Sequence, residues 1–309
     1  MRRFGRRIAT LAAPVEVAGI GLHTGARVRV RALPVAAADD GIYFVRSDLG
    51  GAERRISASP HSVVCTRLST TLGATGDDDA TVRTVEHLLA ALCGAGVGAC
   101  RIEVDGPELP LLDGSAAPWL TAIREAGFDP LGVTGAAPPA SGRQQPRRLR
   151  APLSVQDGDA WVVAMPAAAA HLTYGIDFPH HPPIGRQWFS WSPHTGGPFA
   201  DEVAPARTFG LFEQLEALRT QGLIRGGSSD SAIVCDAERW LTGPLRFADE
   251  PARHKLLDLV GDLSLLGALP QAHVIAYKAS HRLHVELARK LADEPAVASD
   301  DGPLREPPP

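Results

Sequence analysis

RHKLLDLVGD, residues 253–262, has the spacing of an amphipathic helix: Leu256, Leu257, Leu259 and Val260, continued by Leu263 and Leu266, fill one arc that needs a core. His254 and Asp258 stand four residues apart and leave one face of that helix together, and Asp262 extends their line by four more. Two readings fit these polar residues. They are a solvated face on which an imidazole pairs with a carboxylate, or two ligands of a metal whose remaining ligand comes from elsewhere.

The chain around this helix has 309 residues, 44% of them apolar, enough for one large or two medium cores, and the length favours two domains. At Gly132–Pro152 (GVTGAAPPASGRQQPRRLRAP) glycine, proline and arginine replace any apolar period, so residues 132–152 are read as a linker between a domain at 1–131 and one at 153–291. In the first half, Arg27–Leu33 (RVRVRAL) and Cys100–Val104 (CRIEV) alternate like half-buried strands. Between them Thr84–Cys93 (TVEHLLAALC) is a helix capped by Thr84, with Val85, Leu88, Leu89 and Leu92 on one stripe and Gly94 and Gly96 as its stop. The second half repeats the rhythm: strands at Ala160–Ala164 and Leu172–Phe178, a helix at Phe212–Gln221, the helix quoted above, and a last strand at His273–Lys278. Strands and helices mixed without regular β-α-β alternation indicate α+β layers. Residues 179–205, rich in proline, glycine and tryptophan, are too long for a plain connector and are read as an insert shaping a site, and residues 292–309 as a disordered tail.

A formal charge of -4, from 31 basic and 35 acidic residues, offers no electrostatic grip on nucleic acid or a strongly anionic membrane. The one basic run, Arg143–Arg150, reads as solvated linker. Four cysteines without a C-x-x-C pair suit reduced thiols in a reducing compartment, and no apolar run reaches the length of a membrane span. Glu16 interrupts the short apolar run after the basic head, which disfavours a cleaved signal peptide.

Glu86 and His87 are adjacent in the first-half helix, so their side chains leave it about 100° apart. His87 can therefore ligate a metal while Glu86 addresses a water on it. Two histidines and an aspartate leave a tetrahedral zinc with one open position, the layout of a hydrolytic site. An exposed helix face is the competing reading of the same two residues. Among other histidines, His180, His181 and His194 read as solvated, His284 as surface, and His23 as hydrogen-bonded within a tight turn.

Seven motifs in fixed order join these pieces: GIGLHTG (19–25), TVEHLLAAL (84–92), ELPLLDGSAAPW (108–119), ARTFG (206–210), GLIRGGSSDSAIV (222–234), LRFADEPARHKLLDLVGDL (245–263) and YKASH (277–281). From Val15 to about Leu291 the chain resembles the UDP-3-O-acyl-N-acetylglucosamine deacetylases, zinc enzymes of bacterial lipid A synthesis. The resemblance implies an α+β fold of two similar α/β-sandwich domains, a duplicate of the ribosomal protein S5 domain 2-like type, packed with helices facing each other. It implies zinc held by His87, His254 and Asp258, with Glu86 as general base, His281 held by Asp262 as the second catalytic group, and Thr208 steadying the oxyanion. Phe209 would pack on the sugar, Lys255 and Lys278 would meet the polar head, and Leu215, Ile224 and Val234 would complete the acyl groove. Either His281 or Glu86 would protonate the leaving amine. Trp188, Phe189 and Trp191 would line an acyl passage or pack in the core.

The implied reaction is release of acetate from UDP-3-O-acyl-N-acetylglucosamine by a cytoplasmic monomer with at most peripheral membrane contact. Ser280 departs from the glycine usual before the histidine, and Ser229 from a larger apolar residue common in relatives. A non-catalytic sugar-nucleotide or lipid binder with a structural zinc is the alternative, disfavoured because a binder needs neither base nor acid.

Overall fold

The computed structural model describes residues 9–36, 41–50, 54–74, 77–131 and 146–294. Two five-stranded sheets dominate it. The first runs Val15–Ile20, Arg27–Leu33, Cys100–Val104, Ile42–Arg46, Arg55–Ser57, and the second Leu153–Asp157, Ala160–Pro166, Ala272–Tyr277, His171–Phe178, Gly185–Trp191. In each, the central strand comes last in the chain, antiparallel to the second strand and parallel to the third. Arg27–Leu33 shows why one face is buried: Val28, Val30 and Ala32 point inward while Arg27, Arg29 and Arg31 stay exposed.

Six helices accompany the sheets in the described residues: α1 (Glu86–Ala95), α2 (Ala117–Ala126), α3 (Phe199–Glu202), α4 (Phe212–Thr220), α5 (Glu250–Ser264) and α6 (His281–Asp293). α1 pairs with α2 and α5 with α6, and α1 packs directly on α5. The leucines expected to face a core, Leu88, Leu89 and Leu92 of α1 and Leu256, Leu257, Leu259 and Leu263 of α5, are buried in one continuous apolar cluster. Gly261 sets how near the two helices come. A Cβ there would lie 2.1 Å from the Glu86 carbonyl oxygen, so only glycine allows this approach.

Several expectations change. Thr84 does not cap α1: the N-cap is Val85, without a side-chain bond, and Thr84 has a left-handed φ of 59° with its hydroxyl donating to Glu108 Oε1 at 2.9 Å. Much of the supposed insert at 179–205 is regular structure, because Gly185–Trp191 is the edge strand of the second sheet, paired with His171–Phe178. The supposed tail begins too early, since α6 includes Ala292 and Asp293, and residues 295–309 lie outside the described residues. Of the expected linker, 132–145 also lie outside, while Arg148 pairs with Gln271. The last strand stops at Tyr277, and Lys278 turns the chain with a φ of 51°. No described helix is long and apolar enough to cross a membrane.

Candidate active site

The contact of α1 with α5 brings His87 from the first turn of one helix against His254 and Asp258 from the other. His87 Nε2 lies 3.6 Å and His254 Nε2 3.5 Å from Asp258 Oδ1. Zinc bonds of 2.0–2.1 Å at tetrahedral angles put ligand atoms about 3.4 Å apart, so the spacing fits such an ion. His254 Nδ1–H donates to the Ala206 carbonyl at 3.1 Å, which leaves Nε2 with its lone pair toward the other two groups. Burial, with His87 and Lys255 adding, lowers the His254 pKa to about 4, so this imidazole is neutral at pH 7. Burial works the other way on Asp258, but Lys255 and His254 outweigh it and hold the carboxyl well below its usual range. The donor set is therefore that of a metal site: a neutral imidazole and a carboxylate on α5, with His87 opposite.

Beside this triad sits a second buried group. Glu86 Oε2 accepts from the Thr70 N–H at 3.0 Å, and its other oxygen lies 3.9 Å from His281 Nε2. Burial raises the Glu86 pKa against the opposing pull of His281 and His87. His281 Nδ1–H donates to Asp262 Oδ2 at 2.8 Å, and the Thr70 hydroxyl donates to Asp262 Oδ1 at 2.6 Å. Burial presses the His281 imidazolium down, yet Asp262, helped by Glu86 and Asp258, more than offsets it and leaves the pKa raised to about 9. Burial acts to raise the Asp262 pKa, but His281 and His284 outweigh it and draw the carboxyl down to about 2.

The groups open onto a cleft of about 330 Å³ whose walls include Leu22, Leu68, Leu111, Thr208, Phe209, Lys255 and Ser280. Phe209 lies in the short strand Phe209–Leu211, parallel to Ile233–Cys235, with its ring edge-on to Phe178. Thr208 is set by its N–H bond to Gly114 O at 2.8 Å. Gly114, at φ +83°, allows this turn where a Cβ would meet the Ser231 carbonyl. Lys255 borders the cleft but gives its ammonium to Asp258 Oδ2 at 2.6 Å.

Other expected substrate contacts fall outside the cleft wall. Lys278 is paired with Asp159 at 2.6 Å. Leu215 lies on α4, which buries no residue, Ile224 in a turn at φ 49°, and Val234 opposite Gly210. Trp188 stacks on Tyr277 across Gly175, Phe189 lies beneath the Arg253 guanidinium, and Trp191 is buried against Phe199, so none of the three walls the cleft.

Thr70, which bonds both Glu86 and Asp262, and Tyr174 behind Asp262 carry no signal in the sequence, whereas His284, also behind Asp262, shares a helical spacing with His281. His284, expected at the surface, is fully buried, because the carboxylate it needs arrives from α5 rather than from its own neighbourhood. His23 does sit in a tight turn, but its ring nitrogens have no hydrogen-bond partner. The turn is instead held by backbone N–H groups of His23 and Thr24 donating to the buried Glu108.

Two imidazoles and a carboxylate that could hold one cation, beside a second carboxylate and a cationic imidazole, are the groups a metal-dependent hydrolase needs. Residues 8–293 match the family model described as UDP-3-O-acyl N-acetylglycosamine deacetylase (LpxC). A UDP-3-O-acyl-N-acetylglucosamine deacetylase of Synechocystis sp. is 52% identical over 284 residues, covering 92% of this chain and 98% of the relative. One of Nostoc sp. is 51% identical over 286 residues, 91% of this chain and 97% of the relative. A probable mitochondrial deacetylase of Arabidopsis thaliana is 43% identical over 303 residues, 93% and 88% of the two chains. The chain belongs to the UDP-3-O-acyl-N-acetylglucosamine deacetylase family.

Proposed function

We propose that this protein hydrolyses the N-acetyl group of UDP-3-O-acyl-N-acetylglucosamine, releasing acetate in the committed step of lipid A biosynthesis, with zinc held by His87, His254 and Asp258. The observation that carries the reading is the meeting of those three ligand atoms within 4.8 Å of one another, beside Glu86 and His281. Zinc bound there supplies Lewis acidity, which brings the pKa of a water toward about 7 and polarises a carbonyl.

The chain's own residues supply the rest. Thr70 pins one oxygen of Glu86 and leaves the other toward the cleft. Raised by burial, this carboxylate is suited to take the proton of the attacking water. Attack on the acetyl carbon moves negative charge onto oxygen, where the Thr208 hydroxyl serves as donor. The amine cannot leave as an anion, and His281, protonated at neutral pH and turned by Asp262 so that Nε2–H faces the cleft, gives it the proton. Phe209 and Lys255 border the space for the sugar head. The acyl chain would leave the cleft past Phe209 toward Val234, Leu215 and Ile224, which lie beyond its wall.

We read the two sheets of identical strand order as a duplicated α/β-sandwich unit, joined at 132–152 and facing each other through α1 and α5. The setting we infer is a cytoplasmic monomer with at most peripheral membrane contact. The deciding experiment measures acetate release from UDP-3-O-acyl-N-acetylglucosamine with and without a chelator, and with Glu86→Ala. Loss in both cases is expected, and undiminished acetate in either one refutes the assignment.

A further inference from the structure

Asp262 holds two imidazoles on one oxygen. Its Oδ2 lies 2.8 Å from His281 Nδ1 and 2.9 Å from His284 Nδ1, while Oδ1 accepts from Thr70. An ionised carboxylate only accepts, so both rings present an Nδ1–H to it. On its far side the single proton of the Tyr174 hydroxyl lies between two acceptors, the Ala279 carbonyl oxygen at 2.7 Å and His284 Nε2 at 3.1 Å. His284 and Tyr174 are wholly buried and neither borders the cleft. Nothing in the reaction outlined above uses them, and burying two polar side chains costs free energy that only their hydrogen bonds offset.

These bonds reach His281 by two routes. Through Asp262 Oδ2, His284 restrains the oxygen that orients the His281 ring; without it, Thr70 would be the remaining anchor of that carboxylate. Through Ala279 O, Tyr174 ties down the backbone just before His281, and His284 N–H closes the first turn of α6 on Ser280 O at 3.1 Å. We propose that His284, backed by Tyr174, is a positioning residue that keeps Asp262 Oδ2 where it aims the His281 imidazole into the cleft. This deepens the deacetylase reading and rests on it for its kinetic test.

The test compares the metal-loaded full chain with His284→Ala, His284→Asn, His284→Gln and Tyr174→Phe. Asparagine places its amide nitrogen where His284 Nδ1 stands and can still donate to Asp262. Glutamine reaches further and matches Nε2 instead. Glutamine is nearer to histidine in volume, so space-filling alone would rank it above asparagine, whereas positioning ranks asparagine first. For His284→Ala and His284→Gln, kcat is expected to fall about ten- to hundredfold with KM and metal stoichiometry unchanged, as a displaced catalytic group requires. His284→Asn restores most of that loss, and Tyr174→Phe lies between.

A readout independent of turnover is the downfield Nδ1–H proton of His281 in protein labelled with ¹⁵N-histidine. It is expected to shift upfield or vanish in His284→Ala and His284→Gln and to persist in His284→Asn. Unchanged kcat together with an unmoved His281 proton in folded His284→Ala overturns the proposal, as does glutamine outperforming asparagine. If the alanine variant does not fold, the Asn-against-Gln ranking decides. If the unaltered protein releases no acetate, the deacetylase reading falls and the proton resonance alone decides the positioning role.

Discussion

Glu86 and His281 face each other across 3.9 Å with both pKa values raised for different reasons, the carboxyl by burial and the imidazole, against burial, by its carboxylate neighbours. A base able to accept a proton and an acid already holding one are thereby set apart at neutral pH. Glu86→Gln, which keeps shape and loses basicity, is expected to lower kcat about a hundred- to ten-thousandfold with zinc content unchanged. Steady-state kinetics with metal analysis checks this. The raised His281 pKa also links folding to pH. Folding strengthens proton binding there, so the stabilisation is complete below about 6.5 and is lost as pH rises through about 9. In chelated protein, the stability gap between the unaltered chain and His281→Gln, measured by urea unfolding, should therefore be level near pH 6 and narrow above about pH 7. A gap that widens with pH would contradict the assigned proton.

At the scale of elements, the site is a product of how closely α1 and α5 approach. Gly261 has no side chain to hold Glu86 away, so the helix that carries His87 comes within ligand distance of the one that carries His254 and Asp258. Gly261→Ala is expected to destabilise the protein by about 1–3 kcal/mol through overpacking and to weaken zinc as the helices part. Thermal unfolding and zinc titration test both effects, and a variant with unaltered zinc affinity would show that the helix spacing does not govern the site. The start of α1 is set by tertiary contacts rather than by a cap. Thr84 gives its hydroxyl to Glu108, which also holds the turn at His23 and Thr24, so the GIGLHTG and ELPLLDGSAAPW motifs act together to aim Glu86 and His87.

For the molecule as a whole, a metal held between the α1 and α5 sides would bind the folded chain and not the unfolded one. Chelation is then expected to lower unfolding free energy by about 4 kcal/mol where free zinc had stood near a thousand times Kd. Asp258→Ala should unfold at the same midpoint with or without chelator, and a chelator-sensitive Asp258→Ala would remove that residue from the ligand set. The ligand-bearing helix, the alternating strands RVRVRAL and CRIEV and the order of the seven motifs are all written locally, because helical and strand periods appear within a few residues of each other along the chain. Three-residue strands such as Ala9–Leu11 and Arg55–Ser57 are too short to show a period, and the edge strand Gly185–Trp191 is hidden between Pro182 and Pro183 on one side and Pro193 and Gly196 on the other. The order of residues alone dictates which helix faces seek a core and which side chains on them can bind a metal. Only folding in three dimensions decides that Thr70 spans Glu86 and Asp262, that His284 is buried, and that Lys278 turns to Asp159, because these depend on partners remote in the chain and on the space left between packed helices.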